Sequence, residues 1–269
     1  MLKISAYLLL FLLLVGIVGY GAFVEPNRLD VTQHTLGIAS ASPLIRVAQI
    51  SDLHLQAMDD IRHLVAQRTV LSKPDVIVFS GDIVDSKASL PALEIFLSEL
   101  GDIPKVAVLG NWEYWSEIDF QSLRELYGRH HTTLLVNSCL VFQFGNQQLA
   151  FIGLDDALAG KPNLRKAERS CVDVDSKILI EHSPGFFGKP LDQPVEHAPY
   201  LLGLSGHTHG GQILIFGQPM DTPPGSGEFN RGWYETKYGK LYVSRGIGTT
   251  VLPLRIGSAP ELAVFDMHL

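Results

Sequence analysis

Five mostly apolar runs of this chain each end in a side chain that can ligate a metal, and this repeated ending constrains the fold more than any other feature. Leu44–Ile50 leads into Ser51-Asp52-Leu53-His54, residues 76–80 into Gly81-Asp82-Ile83-Val84-Asp85, and residues 106–109 into Gly110-Asn111-Trp112-Glu113. Residues 177–181 stop at His182-Ser183-Pro184, and Tyr200–Ser205 at Gly206-His207-Thr208-His209. Helical patterns at 57–71, 89–100 and 117–127 lie between and after the first three runs. Such alternation implies parallel strands with crossover helices. Ligands of α/β sheets bind beyond the carboxyl ends of strands, so the five endings should converge on one rim.

The middle of the chain changes character. Residues 132–136, 139–144 and 148–154 succeed one another with short Gly or Asn breaks, which predicts hairpins. A short helix at 164–169 comes next, and strand-like segments at 240–245 and 261–267 close the chain, with an edge strand expected early, at 28–36. The pattern predicts an α/β fold with two sheets packed face to face and helices outside. About 240 residues lie beyond the first segment, enough for one large core.

That first segment is distinct. Residues 4–24 carry no charge, and as a helix they would span about 32 Å, close to the hydrocarbon thickness of a bilayer. We read 1–24 as a membrane anchor or uncleaved signal, 25–43 as tether and edge strand, and 44–269 as the catalytic domain. With 21 Lys and Arg against 28 Asp and Glu, the net charge is −7, so no nucleic-acid binding through phosphate neutralisation is expected. The two cysteines, Cys139 and Cys171, form no Cys-X-X-Cys pair and read as small buried apolar residues. No Gly-X-Ser-X-Gly elbow and no P-loop are present.

The residue types at the rim point to chemistry. Carboxylate, imidazole and amide oxygen suit manganese, iron, zinc or magnesium rather than soft copper. One carboxylate can bridge two cations about 3.5–4 Å apart. Asp52 and His54, two residues apart, would share one side of an extended backbone, and Gly81 and Gly110 would let the turns approach the ions. Taken singly, an aspartate after a strand is usually a helix cap and an asparagine after glycine a turn residue. Their joint occurrence at matching positions outweighs those readings. His34, His63, His130, His131, His197 and His268 lack the strand-end context and stay outside the site.

Asp52-X-His54, Gly81-Asp82-X-X-Asp85, Gly110-Asn111-X-Glu113, His182 and Gly206-His207-X-His209 resemble the calcineurin-like metallophosphoesterases over about residues 44–269. The run Gly206–Gln212, with Ser244-Arg245-Gly246-Ile247-Gly248 and Pro253-Leu254-Arg255, is similar to a branch of membrane-associated bacterial phosphodiesterases. The resemblance implies a four-layer α/β/β/α sandwich of two mixed sheets, an N-terminal transmembrane-type helix, and two divalent metal ions, manganese foremost. One metal would take Asp52, His54, His209 and bridging Asp82; the other Asp82, Asn111, His182 and His207. Asp82, Asn111 and His207 would act in catalysis, with Asp85 and Glu113 orienting ligands from behind. A hydroxide shared by the ions would attack phosphorus in line.

The family usually has histidine after Gly-Asn, where this chain has Trp112, and indole cannot transfer a proton at neutral pH. Trp112, Tyr114 and Trp115 are expected to pack as a lid over the first helix, the alternative being a wall for an acyl chain or base. An anchored site favours a phosphodiester of a membrane or cell-envelope molecule. The alternatives are pyrophosphate cleavage in a nucleotide-diacylglucosamine, and a non-catalytic metal-binding scaffold. Lys3 ahead of the span, without a basic excess after it, favours a single-pass protein with its domain outside the cytoplasm.

Overall fold

The computed structural model describes residues 2–37, 44–169, 171, 174–188 and 199–268; residues 38–43 of the expected tether and His197 lie outside this set. The chain begins with α1 (Leu2–Phe23), whose side chains from Tyr7 to Leu14 are all more than half exposed, and enters the domain through β1 (Asp30–Leu36). Next come β2 (Leu44–Ile50), α2 (Asp60–Leu71), β3 (Val76–Phe79), α3 (Leu90–Glu99), β4 (Lys105–Ala107), α4 (Asn111–Trp115), α5 (Phe120–Arg129) and β5 (Thr132–Leu134). The second half runs through β6 (Ser138–Phe144), β7 (Gln147–Gly153), α6 (Leu164–Glu168), β8 (Ser176–Ile180), α7 (Gly185–Gly188) and β9 (Tyr200–Ser205). It ends with the hairpin β10 (Leu214–Ile215) and β11 (Gln218–Pro219), then β12 (Gly232–Thr236), β13 (Gly239–Val243) and β14 (Glu261–His268). Polar caps start several helices where turn chemistry requires: Asp59 accepts from Arg62 N at 3.0 Å, and Asn163 from Lys166 N at 2.9 Å.

The strands form two six-stranded sheets, ordered β1-β14-β2-β3-β4-β5 and β12-β13-β9-β8-β7-β6. Each has a parallel centre, β2 to β5 in one and β7, β8, β9 and β13 in the other, with antiparallel neighbours at β14, β6 and β12. Period-two alternation builds the layers. Val47, Val78 and Val106 of the first sheet meet Phe151, Ile178, Ile180 and Leu204 of the second in a core between the sheets. The intervening residues Ala48, Ile50, Ile77 and Phe79 face outward onto Val65, Phe96 and Leu126 of α2, α3 and α5. Ile152 and Leu179 do the same on the other side, against Ala167 of α6 and Phe187 of α7. The result is the expected α/β/β/α sandwich. Gln49, fully buried, ties the sheets near their carboxyl ends: its Nε2 donates to Ser80 Oγ and to Ser205 O, both at 2.9 Å.

Two expectations change. Residues 132–136 take no part in a hairpin with the next strand. β5 pairs parallel with β4 in the first sheet, and it is β6 and β7 that form the hairpin. Short apolar strands are ambiguous in sequence because partner choice depends on which surface needs covering. The cysteines are not separate buried residues either: Cys139, on edge strand β6, is disulfide-bonded to Cys171 beyond α6, with Cα atoms 6.0 Å apart. The link fastens the α6 segment across a sheet edge beside Ala150 and Val174. Closing a loop of 32 residues restricts the unfolded chain by about 3–4 kcal/mol. Reducing agent, or Cys139→Ser, should therefore lower the thermal midpoint by several degrees without altering the circular dichroism of the folded state; an unchanged midpoint would show that the link bears no load.

Candidate metal centre

The five strand endings do converge. β2, β3 and β4 of one sheet and β8 and β9 of the other deliver Asp52, His54, Asp82, Asn111, His182, His207 and His209 to one rim, each 5% exposed or less. Two triads form there. Asp52, His54 and His209 present ligand atoms all within 4.8 Å of one another, as do Asp82, His182 and His207. Asp82 Oδ2 lies 3.0 Å from His182 Nε2 and 3.8 Å from His54 Nε2, between the triads, where a bridging carboxylate belongs. Asn111 lies at the same rim, 2% exposed, and its neighbour touches the bridge: Trp112 N donates to Asp82 Oδ1 at 2.8 Å.

The backbone bends sharply to achieve this. Asp52, His54, Asp82, His207 and His209 all have positive φ, from 44° to 71°. Each such conformation costs a non-glycine residue about 1–3 kcal/mol and is characteristic of functional sites. Asp52 and His54 therefore share a direction because the chain turns after β2, not because it stays extended as the sequence suggested. Asp52 N donates to Gly81 O and His54 N to Asp82 O, both at 3.1 Å, holding the turn against its neighbour. The glycine expectation stands: a Cβ on Gly81 would lie 2.5 Å from His182 Nδ1, and one on Gly110 2.2 Å from Asp82 Oδ1.

Glu113 locks the two central loops together. Its carboxylate accepts from Gly110 N (2.8 Å) and Asp82 N (3.1 Å) on one oxygen, and from Ile83 N (2.7 Å) and Val84 N (3.3 Å) on the other. Burial and the nearby Asp82 push this carboxyl up to about 7 against the pull of the backbone donors. Asp85 Oδ1 sits 2.7 Å from His54 Nδ1. A carbonyl does the same for each other imidazole: Ser80 O for His182 Nδ1 at 2.8 Å, Pro224 O for His207 Nε2 at 2.7 Å, and Gly248 O for His209 Nδ1 at 3.3 Å. Since a carbonyl only accepts, each ring spends its N–H there and turns its other nitrogen inward.

The surroundings of those inner atoms decide whether cations fit. Asp52 Oδ2 and Asn111 Oδ1 are buried without any hydrogen-bond partner. His54 Nε2 and His209 Nε2 confront each other at 3.1 Å. Burial opposes charge on His182 and His54, but the surrounding carboxylates outweigh it, Asp82 above all for His182 and Asp85 for His54, and hold both rings above the usual histidine range. Burial, then the charge of His54 and Arg255, drives His209 well below it. Orphaned lone pairs among uncompensated carboxylates fit hard divalent cations, which satisfy both.

The Trp112 ring stands edge-on to His54 at 5.4 Å and to Trp115 at 5.9 Å. Tyr114 turns away, its hydroxyl donating to Asp155 Oδ1 at 2.5 Å. The excluded histidines belong elsewhere: His34 stacks on Phe265, His63 pairs with Glu99 at 2.7 Å, and His131 with Asp102 at 3.3 Å.

Two supports are not evident from sequence. Arg255, wholly buried, donates to Gly248 O (2.6 Å), Ser258 O (2.8 Å), Arg245 O (2.9 Å) and His209 O (3.3 Å), fastening the His209 loop to the 245–248 turn. Burial lowers its guanidinium to about 10, still charged at neutral pH. The sequence offers Arg255 only within the Pro253-Leu254-Arg255 run of the branch resemblance, with no role attached to it. Asp156 accepts from Ser183 Oγ at 2.7 Å, beside His182. The strand-ending rule could have found it, since β7 runs into Leu154-Asp155-Asp156.

Comparison with known proteins identifies the family. The family model described as calcineurin-like phosphoesterase matches residues 45–211. The uncharacterized metallophosphoesterase YkuE of Bacillus subtilis is 32% identical over 266 residues, covering 93% of this chain and 89% of that protein. The phosphodiesterase YaeI of Escherichia coli is 26% identical over 260 residues, covering 93% and 92%. Among solved structures, a dimetal phosphatase from Danio rerio is similar at a TM-score of 0.44 and 12% identity, covering 76% of this chain and 88% of that one. The chain belongs to the calcineurin-like phosphoesterase family and is a metal-dependent phosphoesterase.

Proposed function

We propose that the chain hydrolyses a phosphodiester of a membrane or cell-envelope molecule at a centre of two divalent cations, manganese being the first assignment. The observation that carries this reading is the pair of buried triads with Asp82 Oδ2 between them. One ion would be held by Asp52, His54, His209 and Asp82, the other by Asp82, Asn111, His182 and His207. When bound, such ions neutralise phosphoryl charge and make water a usable nucleophile near neutral pH.

The protein's own residues prepare that chemistry. Asp85 and the carbonyls of Ser80, Pro224 and Gly248 fix the ring tautomers, so four lone pairs point inward without reorganisation. Glu113 keeps the Asp82 and Asn111 loops in register. Trp112 closes over His54 where the resemblance puts a histidine, and an indole there donates one hydrogen bond and no proton. The site is thus suited to esters whose leaving group departs without protonation.

The diester reading is supported by the name of YaeI, and the membrane reading by α1, long and apolar enough to cross a bilayer. The Cys139–Cys171 disulfide supports an extracytoplasmic domain, because such bonds persist in oxidising compartments. That placement disfavours cytoplasmic cleavage of a nucleotide-diacylglucosamine. A metal-binding scaffold has no need of the full ligand set.

Three measurements test the centre. Full-length protein with Mn²⁺ should turn over bis(p-nitrophenyl) phosphate, and Asp82→Ala or His207→Ala should each abolish this; metal bound without turnover on any phosphoester would reject the reading. Glu113→Gln, which sets an NH₂ donor against backbone N–H groups, should weaken Mn²⁺ binding by about 10–100-fold in a calorimetric titration. Trp112→His should raise rates on poor leaving groups by about 10²-fold while barely changing those on p-nitrophenyl esters; equal rates on both would show that no proton donor is lacking.

A further inference from the structure

Resting on the membrane-anchor reading above and going beyond it, we propose that the domain is seated in the bilayer surface by two apolar loop tips beside the metal centre, Phe216 and Val251–Leu252. Phe216, at the turn between β10 and β11, is 102% exposed, and Val251 is 96% exposed. Both adopt positive φ, 51° and 61°, an outlier conformation for a bulky or β-branched residue. Ile215 and Met220 flank the first tip and are themselves more than half exposed. Apolar side chains held outward on strained tips are unfavourable in water and gain by entering the headgroup–acyl boundary.

The tips form one surface. Gln212 Nε2 donates to Thr250 O and Leu252 O, both at 3.0 Å, while its Oε1 accepts from Thr250 N at 2.9 Å. Leu214 N donates to Ile256 O at 2.8 Å, joining the β10–β11 hairpin to the same segment. That surface is continuous with the end of α1. Arg255 N donates to Gly21 O at 2.8 Å, and a Cβ on Gly21 would lie 2.7 Å from Ile256 Cγ1. Arg28 Nη1 donates to Tyr20 Oη at 2.8 Å at this junction, a tyrosine–arginine pair of the kind that marks the headgroup level.

The occupant is therefore lipid, because the helix that would enter the bilayer emerges beside the tips. Asp221 beside Met220 argues against attraction by basic charge, so the contact is apolar insertion. Gln212 comes directly after His209-Gly210-Gly211. The loop that carries a metal ligand thus also carries the tips, and the centre would open at the level of lipid headgroups.

The test uses full-length protein in vesicles of phosphatidylethanolamine and phosphatidylglycerol. Phe216→Cys, Val251→Cys and, as a control at the β6–β7 turn, Asn146→Cys are labelled with the fluorophore NBD. Among the described residues no native thiol is free to compete. Labels at 216 and 251 should shift to the blue and be quenched by shallow doxyl lipids, and the label at 146 should not. Unchanged turnover of bis(p-nitrophenyl) phosphate would show that the labelled variants are folded. In the unlabelled chain, amide hydrogen exchange at 215–218 and 250–252 should be slower in vesicles than at 145–146, which tests the contact without substitution. Water-exposed, unquenched labels on protein that resists carbonate extraction would overturn the seating while leaving the anchor intact. Release of the protein by carbonate would overturn the anchor and the seating together.

Discussion

Buried negative charge without a lysine or arginine salt bridge governs this structure. Asp52 and Asp82 are essentially inaccessible to solvent, and neither has a lysine or arginine salt-bridge partner among the described residues. A bare carboxylate in a low-dielectric interior is too costly to persist without compensation. Around them the imidazoles of His54 and His182 are held above the usual histidine range, while Asp52 Oδ2 and Asn111 Oδ1 have no hydrogen-bond partner. The arrangement becomes favourable when cations complete it, so metal binding and stability of the rim are one equilibrium.

The sandwich supplies the rigidity this requires. Parallel strands send their carboxyl ends the same way, and Gln49 couples the ends of the two sheets from inside the core. Five ligand residues are then held in left-handed backbone conformations that isolated loops would abandon. Glu113 and Arg255 are the restraints. One gathers four backbone N–H groups and the other gathers backbone carbonyls, so each satisfies polar groups that a sharp turn leaves unpaired. Neither touches the inner lone pairs. Their effect on chemistry comes through the positions of Asp82, Asn111 and His209.

Aromatic side chains border that rigid centre. Trp112 puts an apolar wall on His54 in place of a proton-transfer group, and Tyr114 is diverted to Asp155. The edge that carries His209 continues into the segments that meet α1.

The layers and the gathering of the seven strand-end residues at one rim are legible in the sequence because both come from local rules. Apolar period fixes which residues enter a strand, and the residue after a parallel strand lies on the sheet's carboxyl edge whatever the partner. The same locality explains the failures. β5 reads as part of a hairpin because partner choice is not encoded within a three-residue strand. The disulfide joins residues 32 apart that only the packing of α6 against β6 brings within reach. Asp52 and His54 read as aligned on an extended strand, but they align through a turn held by hydrogen bonds to Gly81 and Asp82. The residue types of the centre and their delivery to one rim were thus determined by sequence alone. Which side chains restrain the loops, which way each imidazole turns and which segments lie beside the N-terminal helix were decided by tertiary structure, because those contacts join segments far apart in the chain.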